Sequence, residues 1–83
     1  MEKMTVSLDN IPIGEDVIFS PAEYTEDSDG NITIKCSLGN TYTANHSNST
    51  FIKNFKTIYE SMKGKRYSLY CYHGRNNLEC SVM

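Results

Sequence analysis

The stretch Ile32–Gly64, ITIKCSLGNTYTANHSNSTFIKNFKTIYESMKG, decides the fold, because its apolar spacing changes from strand-like to helical along its length. Ile32, Ile34, Cys36 and Leu38 alternate with Thr33, Lys35 and Ser37, the period of a strand with one face buried. Gly39-Asn40 then turns the chain into a second strand, Thr41–His46. A two-residue loop would set the apolar row against Thr41, Thr43 and Asn45. A three-residue loop, Gly39-Asn40-Thr41, pairs Leu38 with Tyr42 and Cys36 with Ala44, so that apolar meets apolar. The second register is expected, since a slip of one residue inverts the whole face. Phe51, Ile52, Phe55, Ile58, Tyr59 and Met62 then fall on one side of a 3.6-residue period, which predicts a helix over 50–63. Ser49 or Thr50 supplies a cap and Gly64 a left-handed stop. The aromatic stripe on this helix reads as core contact.

Outward from that segment, Val17-Ile18-Phe19 begins a strand that Pro21 interrupts or bends, with Ala22 and Tyr24 continuing it. The polar run Thr25–Asn31 contains Asp29-Gly30, so residues 16–24 and 31–38 are expected to form a hairpin. An earlier short strand spans Met4–Leu8, and Pro12 and Gly14 mark a loop. After the helix, Arg66–His73 is dense in tyrosine, with Tyr67, Leu69 and Cys71 alternating against Ser68, Tyr70 and Tyr72. Gly74–Asn77 reads as a turn and Leu78–Val82 as a last strand. The order is therefore β-β-β-β-α-β-β, an α+β domain with one helix on an antiparallel sheet. From residue 16 onward it matches the order of the five-stranded oligonucleotide-binding (OB) barrel, and an open sheet crossed by one helix fits equally well.

A chain of 83 residues is expected to form one domain with one core. No apolar run is long enough to span a membrane, and Met1–Val6 lacks the pattern of a secretory signal. Three cysteines, Cys36, Cys71 and Cys80, cannot all pair within the chain, which favours a reducing, cytoplasmic setting. The sequons at Asn31, Asn45 and Asn48 are then coincidental. Charge is divided along the chain. Residues 1–30 hold Glu2, Asp9, Glu15, Asp16, Glu23, Glu26, Asp27 and Asp29 against Lys3 alone. Residues 31–83 hold Lys35, Lys53, Lys56, Lys63, Lys65, Arg66 and Arg75 against Glu60 and Glu79. Such a split implies an acidic face, a basic face, or two halves that attract each other once folded.

Phosphate loops, nucleophile elbows and metalloprotease helices are all missing from the sequence. His46 and His73 are the only histidines and read as surface residues. Cys71-x-His73 with Cys80 and Cys36 offers metal-ligand types without a Cys-x-x-Cys spacing, so neither a metal nor a cofactor is expected. The chain reads as non-enzymatic, acting by binding. In one reading Glu15, Asp16, Glu23, Glu26, Asp27 and Asp29 bind a basic, nucleic-acid-handling protein by imitating phosphates. In the other, Tyr70, Tyr72 and the cations Lys35, Lys65, Arg66 and Arg75, with Tyr42 as a further stacking ring, bind single-stranded nucleic acid.

Gly39-Asn40-x-Tyr42, followed by Ser47 and a helix beginning near Phe51-Ile52 with Phe55 inside it, resembles the hairpin-to-helix segment of small phage-encoded anti-CRISPR proteins. The resemblance implies a phage or mobile-element inhibitor in the host-cell cytoplasm whose partner is a CRISPR nuclease. It also implies that acidic side chains, here those of the first thirty residues, block the nuclease's nucleic-acid channel. In those inhibitors the acids crowd the C-terminal half, which is basic in this chain, so individual binding positions do not carry over.

Overall fold

The computed structural model describes residues 4–83, so the expected behaviour of the extreme N-terminus, with Glu2 and Lys3, lies outside the described residues. The fold is α+β, with seven strands in two sheets and one α-helix among the described residues. The strands are β1 (Thr5–Ser7), β2 (Asp16–Phe19), β3 (Pro21–Glu26), β4 (Ile32–Cys36), β5 (Thr41–Ala44), β6 (Leu69–His73) and β7 (Leu78–Val82). A single 3-10 turn, Leu8–Asn10, follows β1, and helix α1 spans Ser49–Ser61. One sheet has the order β1-β5-β4-β3 and the other β2-β6-β7; the described strands do not close into a barrel.

The strand expected over 16–24 is two strands in different sheets. Val17–Phe19 pairs with β6, whereas Pro21–Glu26 pairs with β4, and the chain crosses between sheets at Ser20. Pro21 has no N–H to offer a ladder, and the pairing is irregular between Pro21 and Glu23, where the backbone re-aims. The Ser20 carbonyl accepts from the Ser37 N–H at 3.0 Å, which ties the crossing to the next hairpin. Only the second half of the segment makes the expected hairpin with β4.

The β4–β5 register also differs from the expected one. Ile34 faces Tyr42 and Ile32 faces Ala44, so the apolar row is preserved, but the turn is Ser37-Leu38-Gly39. The Cys36 N–H donates to the Asn40 carbonyl at 2.9 Å to close it. Gly39 takes a φ of 97°, the left-handed residue that ends a three-residue hairpin loop. The expected loop, Gly39-Asn40-Thr41, would have placed that conformation on β-branched Thr41, where it is costly. Leu38 consequently sits on the loop, 88% exposed.

One hydrophobic core gathers Leu8, Phe19, Ile32, Ile34, Phe51, Phe55, Leu69, Cys71 and Leu78 from both sheets and the helix. Phe19 of the smaller sheet stacks on Tyr42 of the larger, centroids 4.1 Å apart and planes 14° from parallel. The helix buries Phe51, Ile52 and Phe55, as its periodicity predicts. Tyr24 of β3 meets Phe55 and Tyr59 edge-on at 5.2 and 4.8 Å, the arrangement that ring quadrupoles favour. Gly64, at φ 81°, follows the end of the helix as expected. The N-cap position falls at Asn48, and its side-chain amide donates to the Asp9 carboxylate. That carboxylate also accepts from the Asn45 N–H at 2.9 Å, so the 3-10 turn is fastened to the loop that starts the helix.

Candidate functional site

Four of the six tyrosines, Tyr24, Tyr42, Tyr59 and Tyr67, pack against the core. Tyr70 and Tyr72 do not belong to it, because β6 alternates. Leu69 and Cys71 are fully buried on its inner side, which leaves the two tyrosines half-buried on the outer side. Strand pairing completes that outer face. Tyr72 lies between Asp16 on β2 and Glu79 on β7, and Tyr70 lies between Ile18 and Ser81. Ile18 is 53% exposed, one of six large apolar side chains at the surface among the described residues. Tyr70, Tyr72, Glu79, Cys80 and Ser81 line a shallow depression of about 280 Å³. The Asp16 carboxylate beside the Tyr70 hydroxyl raises the pKa of that phenol, so the face keeps its hydroxyl proton at neutral pH. The result is a strip of aromatic and aliphatic surface edged by carboxylates.

The acidic residues singled out in the sequence divide among three places. Glu15 and Asp16 lead into β2 at the end of the aromatic strip, and the Glu15 carbonyl accepts from the His73 N–H at 3.0 Å. Glu23 and Glu26 stand on β3. Glu23 lies opposite Lys35 at 3.9 Å, and Glu26 bonds Lys56 at 2.6 Å. Asp27 and Asp29 lie in the β3–β4 turn. There the Asp27 carboxylate accepts from the N–H groups of Asp29 and Asn31 and from the Asn31 side chain, at 2.9, 3.0 and 3.1 Å. These bonds, Asn31 foremost, hold the Asp27 carboxyl below its usual range. Asp27 is therefore a turn-forming group, and the two β3 glutamates answer lysines from the later part of the chain. The charge division seen in the sequence is expressed in part as attraction between the two halves.

The basic residues are not gathered around Tyr70 and Tyr72. Lys35 is on the outer side of the larger sheet. Lys65 and Arg66 lie between α1 and β6 and line a different cleft. Arg75 is in the β6–β7 turn. Both histidines fasten loops: the His46 N–H donates to the Asn31 side-chain oxygen at 2.8 Å, and the His73 ring nitrogen Nδ1 meets the Ile11 carbonyl. Cys71 and Cys80 face each other across β6 and β7, and burial pushes all three thiols up, Cys36 and Cys80 to about 11. Thiols held protonated in this way are poor nucleophiles and poor metal ligands. Among the described residues no group of three or more His, Cys, Asp or Glu is placed to hold a metal ion.

Sequence reasoning identified Tyr70 and Tyr72 but missed Ile18 and Glu79 as their neighbours. Glu79 joins them only through the β2-β6-β7 order, which no local pattern in Leu78–Val82 reveals. Comparison with protein-family models, with curated proteins and with solved structures finds no match for this chain. Among the described residues no helix is long and apolar enough to cross a membrane.

Proposed function

We propose that this chain is a small non-enzymatic binding protein that docks on a basic, nucleic-acid-handling protein through the outer face of the β2-β6-β7 sheet. The observation that carries this reading is the strip itself: Ile18, Tyr70 and Tyr72 with Asp16 and Glu79 along its edges. Tyrosines on a rigid sheet give large contact area at low cost in conformational entropy, and aromatic anchors dominate protein interfaces. Carboxylates at the rim select a basic partner and speed encounter with it. Asp16 belongs to this face, whereas Glu23 and Glu26 stand on β3 of the other sheet beside Lys35 and Lys56. The resemblance to anti-CRISPR inhibitors names the first partner to try, a CRISPR nuclease whose guide and target channel is lined with cations.

A reading in which Tyr70 and Tyr72 stack single-stranded nucleic acid is less favoured, since the groups flanking Tyr72 are carboxylates that repel phosphates. The test is binding of the purified chain to a guide-loaded CRISPR nuclease, with target cleavage as a second readout. Tyr70→Ala and Asp16→Lys should each weaken binding at least tenfold, while Lys35→Glu leaves it unchanged. Full-strength binding by both face variants would overturn the assignment, as would salt-sensitive capture of single-stranded DNA by the wild-type chain.

A further inference from the structure

The crossing at Ser20 opens a second site. Between the two sheets, an open cleft of about 590 Å³ is lined by Ser20, Ser37, Ser68, Lys65 and Arg66, with Pro21 and Tyr67 as its walls. These residues come from three parts of the chain: the β2–β3 crossing, the β4–β5 turn and the α1–β6 connection. The Ser20 and Ser68 hydroxyls lie 3.2 Å apart, so one donates to the other and the accepting hydroxyl keeps its own proton for a ligand. Three hydroxyls and two cations, with no carboxylate lining the cleft among the described residues, make a donor set with few acceptors of its own. We propose that this cleft binds the phosphate group of a small organic phosphate monoester. The guanidinium of Arg66 suits two oxygens of one phosphate, and Lys65 adds a second positive charge to match a dianion.

A single phosphate fits better than a nucleic-acid backbone, because the cations form one short cluster, Lys65 and Arg66 with Lys63 in an adjoining hollow, rather than a track. Lys35 and Lys56 are paired with Glu23 and Glu26 and do not extend that cluster. A neighbouring hollow of about 170 Å³ shares Ser20, Ser37 and Ser68 and adds Ile18, Leu38 and Tyr42. It offers an apolar surface for the ligand's organic part, and it gives exposed Leu38 a surface to contribute to. The phosphate cleft shares no residue with the docking face and does not rest on it; of the neighbouring apolar hollow, Ile18 belongs to both.

The test is an NMR titration of the whole chain with inorganic phosphate and with adenosine monophosphate, at constant ionic strength set by chloride. Saturable shifts at the amides of Ser20, Ser37, Arg66 and Ser68 are expected, and the double variant Lys65→Ala/Arg66→Ala should lose at least tenfold in affinity with its melting temperature kept. Tighter binding of the nucleotide would add the apolar hollow to the site, and equal binding would confine recognition to the phosphate; either upholds it. Three results would overturn the proposal: shifts that fail to saturate, undiminished binding by the double variant, or affinity that climbs with the length of a single-stranded oligonucleotide.

Discussion

Tyr67 carries the one buried side-chain oxygen or nitrogen without a hydrogen-bond partner among the described residues. Its ring packs against the core, and burial raises the pKa of its phenol, so the hydroxyl is a neutral donor that has given up water for nothing. Tyr67→Phe removes that group and keeps the ring. It is expected to stabilise the fold by about 1 kcal/mol in urea denaturation, and a loss of stability would show that the hydroxyl has a partner after all. Asp27 is the opposite case, a carboxylate whose every bond is local. Because its folded pKa is depressed, the unfolded chain takes up the proton first. Its contribution to stability is thus complete above the ordinary carboxylate range and fades as pH falls below about 4. Asp27→Asn retains an acceptor without the titrating charge. A melting profile against pH should therefore be flatter on its acid limb for the variant, and an unchanged limb would remove Asp27 from the account.

Elements were legible where a local period fixes them and illegible where a partner does. The helix lies within two residues of its predicted ends because Phe51, Ile52 and Phe55 report their shared face directly. Its N-cap was misplaced because Asn48 answers to Asp9, far away in sequence. The β4–β5 hairpin shows the same boundary. Apolar alternation fixed which side of each strand faces inward, but both the expected and the observed turns satisfy it. The choice was made by backbone stereochemistry at Gly39. Gly39→Ala should cost about 1–2 kcal/mol by forcing a side chain into the left-handed region. The same substitution at exposed Ser37, read by the same denaturation midpoint, should cost much less; equal costs would mean that the turn is not set by Gly39.

Across the whole molecule, the charge division of the sequence is expressed in part as attraction between its two halves and in part not at all. Glu23 and Glu26 came from the acidic third and met lysines from the basic remainder. Glu79, from the basic part, joined Asp16 on the aromatic strip. Strand order did this sorting, and strand order is not a local property of any segment. The candidate docking face was half legible for that reason, with its tyrosines visible in the β6 alternation and its rim hidden. The sheet change at Ser20 has a mechanical corollary. One run of backbone serves as a beam through both layers, and the Ser37 N–H and Ser68 hydroxyl pin it at Ser20. Prying the layers apart would mean bending that beam against both pins, so the width of the gap beneath it is set by the polypeptide itself rather than by whatever enters.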